Sequence, residues 1–262
     1  LRLDGDGWRV FAGVRREEDA EELRAAGSGR LVPVMLDVTD AAQVADAAHL
    51  LGEQVRQGGL DGLVNNAGIA VLSPLETIPL EDFRRQIEVN LTGQVAVTQA
   101  VLPLVRLATG RVVFVSSIGG RMALPFGAPY HAAKFGVEAV ADCLRQELRP
   151  WKIGVAVIEP GSIDTPIWER GEQIADEVAG RAPAAQEELY GATIERFRSA
   201  VRRTAERGIA PDKVANAVAH ALTARRPRTR YLVGADARGQ ALAHRLLPDR
   251  AFDWVVARMM RL

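Results

Sequence analysis

Arg111-Val112-Val113-Phe114-Val115-Ser116 carries no polar residue between its two ends. A strand with one wet face alternates apolar and polar residues, whereas a strand covered on both faces does not. This run predicts a buried strand of a parallel sheet, and Gly127–Leu148 beyond it predicts a helix packed on that sheet. Further apolar runs at Trp8–Val14, Leu31–Leu36, Gly62–Asn65, Ile153–Glu159 and Arg230–Val233 predict five more strands. Helices are predicted near Glu17–Ala26, Ala41–Arg56, Leu80–Val105 and Pro211–Thr223, with Asp40 as the N-cap of the second of these. Strands alternating with helices predict an α/β fold, a doubly wound parallel sheet with helices on both faces.

A chain of 262 residues with 48% hydrophobic content supports one domain, 1–262, with a substantial core. The formal charge is zero, so no field draws it to nucleic acid. Lysine occurs only at positions 134, 152 and 213. Cys143 is the sole cysteine, which excludes an internal disulfide and a multi-cysteine metal cluster. No metal is expected. No uninterrupted apolar run reaches the ~18 residues of a membrane span, and no signal peptide is present in these residues. The expectation is a cytoplasmic protein. Residues 167–208 lose the regular pattern and predict an insertion over the active site. In the tail, 235–262, the spacing of Phe252, Val255, Val256 and Met259 suits a short amphipathic helix with a packing role.

Tyr130-His131-Ala132-Ala133-Lys134 places a phenol and an ammonium four residues apart on one helix face. A phenol titrates near pH ~10, too high for a general base at neutral pH, and a nearby cation favours the phenolate. Ser117, thirteen residues before the tyrosine, can hydrogen-bond a substrate oxygen. The trio predicts proton transfer on an alcohol or a ketone. His131 points about 100° around the helix from Tyr130 and is expected at the surface or lining the pocket. Asn90 lies mid-helix, where asparagine is a mediocre former, so a reason for it is expected.

Together these residues resemble the short-chain dehydrogenases/reductases. The resemblance rests on Asp37-Val38, Asn65-Asn66-Ala67-Gly68, Asn90, Ser117, Tyr130, Lys134, Pro160-Gly161 and Thr165, in the family's order. It implies a Rossmann-type fold, with Tyr130 as general acid/base. Lys134 would lower the tyrosine's pKa and hold the nicotinamide ribose, while Ser117 holds the substrate oxygen. Asn90 would tie a water to the lysine. It further implies that Asp37 and Val38 meet the adenine, that Asn65, Ala67 and Gly68 pass the adenine ribose, and that Pro160, Gly161, Ile163 and Thr165 hold the carboxamide. Where the family selects NAD with an acid at the end of its second strand, this chain has Ala12-Gly13-Val14-Arg15-Arg16. An arginine suits a 2′-phosphate, so NADP(H) is favoured over NAD(H), with Arg15 as the contact.

Glu159-Pro160-Gly161 and Leu102-Pro103-Leu104 look like the branch holding retinol and hydroxysteroid dehydrogenases, which implies a hydrophobic alcohol or carbonyl substrate. The family's habit implies a homodimer or homotetramer. The alternatives are a non-catalytic relative that uses the fold for binding or regulation, and an inactive fragment of the enzyme. One family feature departs: no glycine-rich turn follows a strand. Leu1–Val10 resembles the end of the family's first helix entering its second strand. The expectation is a chain without the first βα unit, so that strand 1 is missing from the order 3-2-1-4-5-6-7.

Overall fold

The computed structural model describes residues 1–56, 58–181 and 185–260, without the side chains of 185–187 and 260. The middle of the expected 167–208 insertion and the last two tail residues lie outside the described residues. Six parallel strands are β1 (Val10–Val14), β2 (Leu31–Met35), β3 (Gly62–Asn65), β4 (Arg111–Val115), β5 (Gly154–Pro160) and β6 (Arg230–Val233). Two of the predicted spans, β3 and β6, are met at both ends, and the other four shift by one or two residues. The helices that connect them are α1 (Arg2–Gly5), α2 (Glu17–Ala26), α3 (Ala41–Val55), α4 (Leu80–Ile87), α5 (Gly93–Ala108) and α6 (Ala128–Glu147). They are followed by α7 (Ile167–Gly180), α8 (Ala185–Ala205), α9 (Asp212–Thr223), α10 (Ala235–Leu246) and α11 (Asp249–Met260). Asp40 caps α3, its side chain accepting from the Ala42 and Gln43 N–H groups.

β4 shows why the sheet is covered twice. Val112 and Phe114 pack with Val105, Val137 and Val157 on the α5–α6 side. Val113 points the other way, into Ala156, Ile158, Val218 and Leu222 beneath α9. In register, Val113 lies between Val64 and Ala156. Each such apolar side chain contributes ~1.5–3 kcal/mol on full burial.

The sheet is in two parts. β1 pairs with β2, and β3-β4-β5-β6 form a separate ladder. β1 and β3 face each other across a cleft, and among the described residues neither edge is paired. The cleft runs to the C-terminal ends of the strands, where ligands bind in open α/β sheets.

Three helical regions differ from the sequence prediction. The helix expected over Leu80–Val105 extends to Ala108 past Pro103 and contains a π turn at Glu88–Thr92. By length and composition, Leu80–Ala108 is apolar enough to cross a membrane. Glu81, Asp82, Arg84, Arg85, Glu88 and Arg106 interrupt it, so the segment holds no unbroken apolar run. Here it packs against α3, α6 and β3. The 167–208 segment forms two helices, α7 and α8. Its polarity suggested a loosened pattern, but Arg198 pairs with Asp176 and Arg202 with Glu172 between the helices. The tail forms two helices, and Phe252 packs with Ile118, Met122 and Ala237.

Candidate active site

A cleft of about 1610 Å³ collects nearly every residue that the sequence singles out. Arg15, Asp37, Val38, Asn65, Ala67 and Gly68 line one end. Asn90, Ser117, Tyr130 and Lys134 line its middle, beside Pro160, Gly161, Ile163 and Thr165. Beyond them lie Met122, Leu124, Phe126, Ile174, Phe197 and Val256.

Tyr130 and Lys134 share one face of α6. Burial holds the phenol above its usual range, and the Ser117 hydroxyl beside it draws it back. Lys134 is buried and donates to the Val115 carbonyl at 2.8 Å. Its Nζ stands 5.8 Å from the Tyr130 ring centroid. The sequence expectation was a phenol lowered by Lys134. In this structure the direction is corrected: burial raises the phenol, and the Lys134 ammonium is turned to a carbonyl. Burial instead lowers Lys134 to about 8, against the pull of Glu138. Ser117 Oγ accepts from the Gly119 N–H at 3.0 Å. The neighbouring Ser116 turns its hydroxyl away into the buried interior beside Glu138.

Asn90 is fully buried in the π turn. Its Oδ1 accepts from the Ile69 N–H at 2.8 Å, and its Nδ2 donates to the Ile69 carbonyl at 3.0 Å. Both polar atoms are thus taken up by the loop after β3. Asn65 also turns inward, donating to Thr98 Oγ1 at 2.8 Å, so it offers the cleft its backbone. Two residues that the sequence reading missed complete the clamp. Gln86 accepts from Val71 N–H at 2.7 Å and donates to the Ile69 carbonyl, while Gln94 donates to the Ala67 carbonyl at 2.7 Å. The missed signal is the spacing of Gln86, Asn90, Gln94 and Thr98, a polar residue every four along an apolar helix.

Arg15 and Arg16 separate clearly. Arg16 pairs with Asp19. Arg15 is exposed at the cleft and makes no ion pair among the described residues. Asp37 is held below the usual carboxylate range, chiefly by the hydroxyl and N–H of Thr39 and less by Arg15. At the other side, Gly161 donates its N–H to the Val233 carbonyl at 2.9 Å, and a Cβ there would run into the Asp236 carboxylate. Trp168 Nε1 donates to the Ile163 carbonyl at 2.7 Å, which fixes the start of α7. Phe126 has φ +62°, a strained value for a bulky residue, and its ring meets Phe197 and Tyr190 edge-on at 5.2 and 6.4 Å.

A model of the family described as short chain dehydrogenase matches residues 1–175. The chain belongs to the short-chain dehydrogenase family. It is 38% identical to retinol dehydrogenase 5 of Mus musculus, over 98% of this chain and 84% of that protein. It is 40% identical to 17-beta-hydroxysteroid dehydrogenase type 6 of Bos taurus, over 98% of this chain and 82% of that protein. Among solved structures, a short-chain dehydrogenase from Streptomyces avermitilis superposes with a TM-score of 0.73 at 26% identity, covering 98% of this chain and 87% of that one. A short chain dehydrogenase from Burkholderia cenocepacia in complex with NADP has a TM-score of 0.68 at 28% identity, covering 96% and 86%. This short-chain dehydrogenase is an NAD(P)-dependent oxidoreductase acting on CH–OH groups.

His131 lines the cleft, one of the two places expected for it. It is buried rather than at the surface, and it braces the segment between Ser117 and Phe126. Its Nε2 accepts from the Leu124 N–H at 3.0 Å, and its Nδ1 lies 2.8 Å from the Gly119 carbonyl, as the donor. That pair of roles requires the neutral ring. Burial lowers its pKa below the usual value. The folded state therefore binds fewer protons here than the unfolded one. Its stabilisation is full above the ordinary value of about 6.5 and declines as pH falls below it. Thermal melts should thus drop between pH 7 and pH 5 in the wild type, and drop less in His131→Phe. Equal drops in both proteins would show that His131 does not carry this dependence.

Proposed function

We propose that this dehydrogenase transfers hydride between NADP(H) and a hydrophobic alcohol or its carbonyl partner. The carrying observation is the polarity of one continuous cleft: unpaired Arg15 at one end, Ser117 and Tyr130 in the middle, apolar and aromatic side chains beyond. The residues present fit the dinucleotide at both ends. Arg15 suits a 2′-phosphate, Asp37 and Val38 an adenine, and the Pro160–Thr165 segment a carboxamide. No glycine-rich turn among them meets the pyrophosphate.

When bound, the nicotinamide supplies or accepts the hydride. Ser117 Oγ holds the substrate oxygen. In oxidation the Tyr130 phenolate takes the hydroxyl proton, and in reduction the phenol donates it. Lys134 in its charged form favours the phenolate and offers donors to a ribose. The clamp from Gln86, Asn90 and Gln94 keeps the residue 65–71 backbone in place beside the cofactor. α7 and α8 cover the substrate end, where the aromatic contacts of Phe126 hold α8. The names of the relatives, retinol and 17-beta-hydroxysteroid dehydrogenases, support a greasy secondary or allylic alcohol.

Cofactor choice is tested at Arg15. Arg15→Asp should weaken NADP(H) and relatively favour NAD(H), because a carboxylate repels a 2′-phosphate but accepts from a 2′-hydroxyl. Losing a charge-assisted pair should shift the ratio of kcat/KM values by roughly tenfold or more. An unchanged ratio would remove Arg15 from cofactor selection.

A further inference from the structure

The segment Pro160–Thr165, which suits a carboxamide, is held by β6, α7, α10 and the turn at Ile209. The Gly161 N–H donates to the Val233 carbonyl at 2.9 Å, at the end of β6. The Ser162 carbonyl accepts from the Ile209 N–H at 3.0 Å, and the Asp164 N–H donates to the Ile209 carbonyl at 3.0 Å, a short parallel bridge. Trp168 Nε1 donates to the Ile163 carbonyl from α7. The remaining hold is a charged side chain. Asp236 Oδ2 accepts from the Ser162 N–H at 2.7 Å, across 74 residues of sequence.

Asp236 stands in the first turn of α10, where the helix dipole favours an acid. A purely local role would turn its carboxylate back onto the free N–H groups of its own helix. Among the described residues its hydrogen bond goes to Ser162 instead. Nor does α10 need the charge as a tether, because Ala237 is fully buried beside Ile118 and Met122. The chain leaves room for this carboxylate at the ends of two strands. A Cβ on Gly161, after β5, would run into both of its oxygens, and a Cβ on Gly234, after β6, into Oδ1. Gly234 also has φ +112°, a backbone conformation that suits glycine. Both glycines thus converge on one side chain, which lines the cleft beside the segment it holds.

We infer that Asp236 is a positioning residue for the nicotinamide half of the cofactor: by holding the Ser162 N–H, it fixes the Gly161–Thr165 backbone in the course that receives the carboxamide. The inference rests on the reading of Pro160–Thr165 as the carboxamide segment. Asp236 acts through the peptide groups between β5 and α7 and not on a reacting atom. An ionised acceptor makes a hydrogen bond roughly twice as strong as a neutral one, so a carboxylate holds this backbone more firmly than an amide would.

The test compares two ligands that differ only in the nicotinamide, NADPH and 2′-phospho-ADP-ribose. Calorimetry gives both Kd values without turnover, and NADH with ADP-ribose serves in the same way for a chain that prefers NAD. In Asp236→Ala the Kd for NADPH should rise about tenfold, as for the loss of a charge-assisted hydrogen bond, while that for 2′-phospho-ADP-ribose stays within about twofold. Asp236→Asn keeps a neutral acceptor and should raise the Kd for NADPH by about threefold. If Asp236→Ala does not fold, Asp236→Asn must still separate the two ligands. Equal weakening of both ligands would show a general structural role and overturn the proposal, as would no weakening of either. Thr165→Val, a change inside the segment itself, tells the two kinds of failure apart. If it weakens NADPH selectively and a folded Asp236→Ala does not, the carboxamide reading stands and the coupling to Asp236 falls. If neither variant selects against NADPH, the carboxamide reading falls as well.

Discussion

Tyr130→Phe is expected to lower kcat by ~10²–10⁴-fold, the usual loss when a general acid/base is removed, and to leave cofactor affinity nearly unchanged. The substitution removes one oxygen and keeps the ring that packs edge-on against His131. The fold therefore has little reason to change. Burial holds the phenol protonated over the neutral range, so the donor for carbonyl reduction is loaded at rest. Alcohol oxidation needs the phenolate, which a charged Lys134 on the same helix face favours. Both directions thus lose their proton route in the variant, and reduction should fail at every pH while oxidation loses its alkaline rise. The measurement is the absorbance of the reduced nicotinamide, with cofactor binding followed separately by its fluorescence. Turnover close to wild type would take Tyr130 out of the mechanism.

The strands were legible because burial on both faces writes itself into sequence as unbroken apolar runs, as in Val112–Val115. The helix over residues 80–108 was legible as a helix but not as a bent one. A π turn leaves no compositional mark, and only the misfit of Asn90 hinted at it. α7 and α8 were harder. Their arginines and acids pair with one another across the two helices, so the period that normally reveals a core-facing stripe is diluted by residues that satisfy each other. At the site, spacing located Ser117, Tyr130 and Lys134, but not the state of their protons. That state depends on desolvation, which is a property of the packed fold. His131 illustrates the same limit: its place at the pocket was legible, but its two bonds to the segment that folds over it were not.

The polar stripe on the helix yields the second large effect. Gln86 and Asn90 both donate to the Ile69 carbonyl, while each alone accepts from a different N–H, Val71 for Gln86 and Ile69 for Asn90. Gln86→Met or Asn90→Leu, each close in shape, should orphan one buried donor at a cost of ~1–3 kcal/mol. The Ile69 carbonyl keeps its other donor in either single variant. In the double variant it loses both, so the loss should exceed the sum of the singles by ~0.5–3 kcal/mol, as for residues sharing one partner. Total domain stability is only ~5–15 kcal/mol, so the double variant should be largely unfolded at growth temperature. The singles should melt lower by ~2–4 °C per kcal/mol and bind cofactor more weakly, because the loop they hold passes beside it. Thermal melts of the four proteins close the cycle. Strict additivity would show that the carbonyl finds another donor and that the two amides act independently. Melts of both singles matching the wild type would go further and show that the stripe does not hold the loop at all.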